Sequence, residues 1–131
     1  MANTIAIYYT DELDEWERLI SFNDNEVAEL ENKLVEVIQR NTIPDISLKV
    51  ESQQNKLAKV ATKFNTVKEL ISQQHVLLKK DDVLVEDALI NQEIEERQTE
   101  LRHHIQVIEK EYIDAKYTCH EFLLGTLKKY H

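Results

Sequence analysis

At 131 residues and a net charge of −9, the chain is long enough for one domain with its own core, and its charge disfavours nucleic acid or an anionic membrane as partner. It has one glycine and one proline. Turn-rich β folds use both freely, so their scarcity beside abundant Glu, Lys, Leu, Gln and Ile points to helix. The single cysteine, Cys119, excludes an internal disulfide and fits a reducing compartment.

Near the start, Ile5 to Tyr9 is the only apolar stretch. It has no basic residues before it and no long apolar run after it, so it does not read as a secretory signal. No run approaches the ~20 apolar residues that span a bilayer. The expectation is a soluble cytoplasmic protein, with no membrane partner. Ile5, Ile7, Tyr8 and Tyr9 are expected to cap one end of a bundle, over Leu77, Leu84, Val85 and Leu89.

The first helix is expected over residues 11–41. Thr10 is the candidate N-cap, and Asp11, Glu12, Asp14 and Glu15 put negative charge where the helix dipole favours it. Its apolar seam reads Leu13, Trp16, Ile20, Asn23, Val27, Leu30, Leu34 and Val37. Arg40 and Asn41 suit its C-terminal end. The segment Asn41 to Asp45 breaks the pattern, with Thr42 or Asp45 as the next cap and Pro44 at or just before the next first turn.

The second helix is expected over residues 45–79. Ile43, Val50, Leu57, Phe64, Ile71 and Leu78 recur every seven residues, and Ile46, Gln53, Val60, Val67 and Gln74 fill the complementary position. This a/d spacing keeps one seam facing partner helices. The segment 42–80 carries seven basic and three acidic side chains, while residues 1–41 carry three and ten, and residues 81–131 six and twelve. Lys49, Lys56 and Lys63 flank the middle seam, and Glu17, Asp24 and Glu31 flank the first. The basic middle helix is therefore matched within the chain, a reading preferred to a polyanion patch.

Asp81-Asp82 reads as the second turn and as the cap of a third helix over residues 83–124. Its seam is Ile94, Gln98, Leu101, Ile105, Ile108, Tyr112, Ala115, Cys119 and Phe122. Short connections imply antiparallel neighbours. The fold class is thus an all-α, antiparallel three-helix up-down-up bundle with coiled-coil-like heptad packing, one domain over residues 1–131. With tight turns near Pro44 and Asp82, Trp16 falls level with Ile71 and Ile94, Ile20 with Val67 and Gln98, and Leu34 with Gln53 and Tyr112. Leu13, Gln74 and Asn91 form a polar layer. With Trp16 early on its first seam, the pattern resembles spectrin-like three-helix repeats. The resemblance implies three-helix packing and carries no site residues with it.

In this register residues 123–131 extend past the core, and Gly125 stops the helix or permits a close approach. Ile113, Tyr117, His120, Leu124 and Leu127 lie on one face outside the seam. The face is read as an interface with a second copy or a partner helix, in preference to a helix end that folds back or is covered by a loop.

Other chemistry is sparse. Glu100 and His103 have the Glu-x-x-His spacing of carboxylate-bridged metal bundles, and His104 adjoins them. A second such motif is missing, so these three remain weak metal candidates with no cofactor implied. Cys119 and His120 are adjacent and diverge by ~100° on a helix, which separates thiol from imidazole. His120 also lacks the surrounding pattern of phosphotransfer histidines. No Gly-rich phosphate loop or Ser/His/Asp pattern is present. The function expected is a non-enzymatic protein-interaction module, self-associating or binding a partner helix through the outer C-terminal face of the third helix. The alternative is a metal- or small-ligand-binding bundle using the Glu/His cluster of that helix.

Overall fold

The structure, a computed structural model, describes residues 2–40 and 44–130, with side chains as far as Thr126. It consists of helices α1 (Thr4–Arg40), α2 (Pro44–Leu77) and α3 (Gln92–Tyr130), with a short hairpin and a helical turn between the last two. This is the all-α three-helix bundle that the seams imply. Of the second helix's seam, every described position from Ile46 to Leu78 is buried. On α1 and α3 the seam positions are buried apart from Trp16, Val37 and Phe122, which pack partly covered against the same core. Ile43, Asn41 and Thr42 lie outside the described residues.

Polar contacts at the edges of the core fix the helix directions. Asp14 pairs with His75 and Asp24 with Lys68, so numbers fall along α2 as they rise along α1. Gln74 meets Gln98 and Lys63 meets Glu111, so α2 and α3 are also antiparallel. Glu12 binds Arg102 and Glu26 binds Lys116, so α1 and α3 run parallel.

The first helix begins at Thr4, seven residues before the expected start at 11. The cap is remote in sequence. The Asp87 carboxylate accepts a hydrogen bond from the Ile5 N–H at 2.9 Å, while the Asp87 N–H donates to the Ala2 carbonyl at 2.9 Å. A local cap at Thr10 is therefore unnecessary; Thr10 lies inside the helix with its hydroxyl oxygen buried. The apolar stretch at the start, expected as an end cap, forms the first turns of α1. Ala6 is fully buried and Tyr9 packs against the core, whereas Ile7 and Tyr8 are exposed. Of their expected partners, Val85 is buried and Leu84 packs on the core, and Leu77 and Leu89 are exposed.

The second helix opens at Pro44, whose fixed φ and missing N–H suit a first helical position. It ends in a hairpin rather than a bare turn. Strands β1 (Lys79–Lys80) and β2 (Val83–Leu84) pair antiparallel, Lys79 opposite Leu84 and Lys80 opposite Val83. Asp81 and Asp82, expected to cap a helix, form the two-residue loop with φ of 55° and 63°. Two successive left-handed residues match the twist of a tight hairpin, and Asp tolerates that conformation better than most residues. A 3-10 turn at Asp87–Leu89 follows, and Asn91 caps α3 by accepting from the Ile94 N–H at 2.9 Å.

This longer connection moves the start of the third helix from 83 to Gln92 and corrects its register. Gln98 meets Gln74 instead of Val67, and Tyr112 packs on Phe64, with ring centroids 5.8 Å apart, instead of lying beside Gln53. The slide is seven residues at the first pair and eleven at the second. The polar layer accordingly contains Gln74 with Gln98, and Asn91 is a cap. Buried Gln53 Oε1 finds no hydrogen-bond partner among the described residues. The slide also removes the expected overhang. Leu123 packs against the core, Thr126 is buried, and the helix passes through Gly125 to Tyr130.

Candidate interaction surface

The outer face of α3 is set by its inner one. Tyr112, Ala115, Cys119 and Phe122 turn toward the core, so residues one or two positions beyond them turn away by ~100° per residue. Ile113 is 54% exposed, Tyr117 66% and Leu124 49%, and His120 is exposed between them. The structure thus brings four residues of the expected stripe onto one open face. The fifth, Leu127, has its side chain outside the described residues.

Polar contacts hold this part of α3 against α1. The Tyr112 hydroxyl donates to Glu26, and Lys116 donates to both oxygens of the same carboxylate at 3.1 and 2.9 Å. The tyrosine hydroxyl first, and the ammonium second, hold the Glu26 carboxyl below its ordinary range. Burial, then the bond to Glu26, pushes the Tyr112 phenol up. The Lys116 ammonium also lies 5.8 Å from the centre of the Tyr112 ring. Charges of both signs, Lys110, Asp114, Lys116 and Glu121, border the apolar stripe in sequence.

The opposite end of α3 carries the weak metal candidates. Glu100, His103 and His104 are all exposed. Glu100 and His104 line a cleft of about 350 Å³ between α2 and α3, shared with Leu70, Gln74, Arg97 and others. Beneath it Gln74 donates to the Ile94 carbonyl and to Gln98 Oε1, each at 3.0 Å. Gln98 passes the network to α1, donating to Glu12 Oε1 at 3.1 Å and to the Tyr9 carbonyl at 3.2 Å. Glu12 is also gripped at both oxygens by Arg102, at 2.9 and 2.6 Å, and this bond raises the guanidinium pKa. These bonds join all three helices at one level.

Cys119 is buried and free, and burial pushes its thiol pKa up, which disfavours the thiolate form of a nucleophile. Lys63 of the lysine ladder pairs with Glu111 at 2.5 Å, and Lys68 with Asp24 at 3.2 Å. The basic helix therefore meets acidic groups on both neighbours.

Among the described residues, one set of three potential metal ligands converges, and it is not the expected one. Asp14, Glu17 and His75 have ligand atoms within 4.8 Å of one another. No local motif announces it, because its members sit on two helices. The antiparallel register of the first two helices was the available signal, since it sets residue 14 almost level with 75. No protein-family model, curated protein or solved structure matches this chain. No helix among the described residues is long and apolar enough to cross a membrane.

Proposed function

We propose that the chain is a non-enzymatic interaction module that pairs with a second copy of itself through the outer face of α3. The observation that carries this reading is the exposure of Ile113, Tyr117 and Leu124 along one helical face. Burying such side chains is the main favourable term in association, and full burial of a Leu stabilises by ~1.5–3 kcal/mol. Tyr117 is the central anchor, because aromatic residues give large contact area for little lost freedom. A two-fold contact sets a patch against itself, so it requires a surface that does not repel its own image. The mixed bordering charges, Lys110 with Asp114 and Glu121, meet that requirement.

Light scattering tests the reading. The wild-type chain is expected at twice the monomer mass, and Tyr117→Asp with Leu124→Asp at the monomer mass, with helical circular dichroism unchanged. Both side chains point away from the core, so the helices do not depend on them. A wild type that stays monomeric at high concentration rules out self-pairing.

A further inference from the structure

We infer that Asp14, Glu17 and His75 form a binding site for a divalent transition metal of the zinc class, bridging α1 and α2. Asp14 and Glu17 are three residues apart on α1 and so share a face one turn apart. His75 reaches toward them from the last turn of α2. One ligand atom from each lies within 4.8 Å of the other two. His75 Nε2 is 3.4 Å from Asp14 Oδ1, beyond the usual range of a direct hydrogen bond. Zinc bonds of ~2.0–2.2 Å in a tetrahedron hold their ligand atoms roughly 3.3–3.5 Å apart, so this pair already has the spacing of two zinc ligands. The third corner falls to Glu17, an exposed side chain whose carboxylate lies within 4.8 Å of both other ligand atoms.

The chemistry of the set selects the ion. One imidazole with two carboxylates suits zinc and neighbouring metals better than magnesium or calcium, which prefer oxygen ligands alone. The two carboxylates neutralise the dication. Asp11 and Glu15 on the same helix add negative potential nearby, offset in part by Arg18, which lines the same cleft as Asp14. Glu12 does not contribute, being committed to Arg102 and Gln98. The imidazole supplied by a second helix separates this group from an ordinary acidic patch. Its geometry also differs from that of Glu100, His103 and His104, all on one helix. Three protein ligands leave a fourth position open to water or to an incoming donor group, the arrangement of a site that exchanges ligands.

Calorimetric titration of the intact chain with zinc chloride, in a buffer that does not bind metal, tests the site. One equivalent is expected to bind saturably. His75→Ala and Glu17→Gln are each expected to weaken binding at least ~tenfold, by loss of a direct ligand. The double change of His103→Ala and His104→Ala should leave affinity unchanged. Glu17→Gln alters one exposed side chain, so its effect is not a folding defect, and circular dichroism checks this for both variants. The inference is overturned if the wild type shows no saturable binding. It is equally overturned if binding survives His75→Ala, or is lost with the paired His103 and His104 changes instead.

Discussion

The two ends of the bundle share one apolar core and differ in the polar contacts added to it. At the hairpin end, where Leu13, Ile71, Leu78 and Ile94 are buried, a chain of directional bonds links the helices as well: Gln74 to Gln98, Gln98 to Glu12, Glu12 to Arg102, and Asp87 to the start of α1. At the far end, Leu30, Leu34, Ile46, Val50, Ala115 and Cys119 bury apolar surface, and among the described residues Glu26 with Tyr112 and Lys116 adds polar contacts at the edge. Apolar packing supplies most of the stability and tolerates small shifts. A buried amide that must find its partner does not tolerate them, so the hairpin end sets the register and the far end inherits it. The exposed stripe stands at the end that register decisions have already reached, on a helix face with no directional duty.

Three substitutions sharpen this contrast. Leu34→Ala at the apolar end should have the largest effect, lowering unfolding free energy by ~2–5 kcal/mol in urea titration, because Leu34 is fully buried. A loss well under that range would mean the far end collapses into the space and is loosely packed. Asp87→Ala at the hairpin end should cost ~0.5–2 kcal/mol, the value of an N-cap. Its more telling sign is faster amide exchange confined to the first turn of α1, leaving the far end protected. Loss of protection at both ends alike would erase the distinction.

The smallest effect is a pH dependence. The Glu26 carboxyl is held below its ordinary range by Tyr112 and Lys116. A depressed folded pKa gives stability that is full above the unfolded value and is lost as pH falls through the folded one. Thermal melts should therefore show Glu26→Gln losing less stability than wild type between about pH 5 and pH 3, the range around an ordinary Glu pKa. Equal acid sensitivity in both would show that the contact contributes nothing to the far end.

Much of the fold was legible in the chain. The buried faces of all three helices follow from where Ile, Leu, Val and Phe recur, because a 3.6-residue helix leaves few ways to bury a seven-residue repeat. Three things were not legible locally. The cap of α1 is supplied by Asp87, 82 residues from its partner Ile5. The Asp81-Asp82 pair looks alike whether it caps a helix or turns a hairpin, since Asp serves both. That ambiguity, with the 3-10 turn at Asp87–Leu89 that follows the hairpin, displaced the third helix and its layers. The outer stripe of α3 was readable as a surface, since Ile113, Tyr117 and Leu124 fall off the seam, and it is exposed. The Asp14, Glu17 and His75 group was legible only through the register of α1 against α2, because ligand sets assembled across helices leave no spacing in one segment.

The clasp between Asp87 and the beginning of α1 has a kinetic side. Bonds joining α2 and α3 near the hairpin span 20 and 24 residues, whereas those joining α1 to α3 span 86 to 90. Closing a long loop sacrifices more chain entropy than closing a short one, so contacts local to either turn are favoured before the clasp, whose partners lie 82 residues apart. The opening residues of the chain therefore seat against Asp87 late.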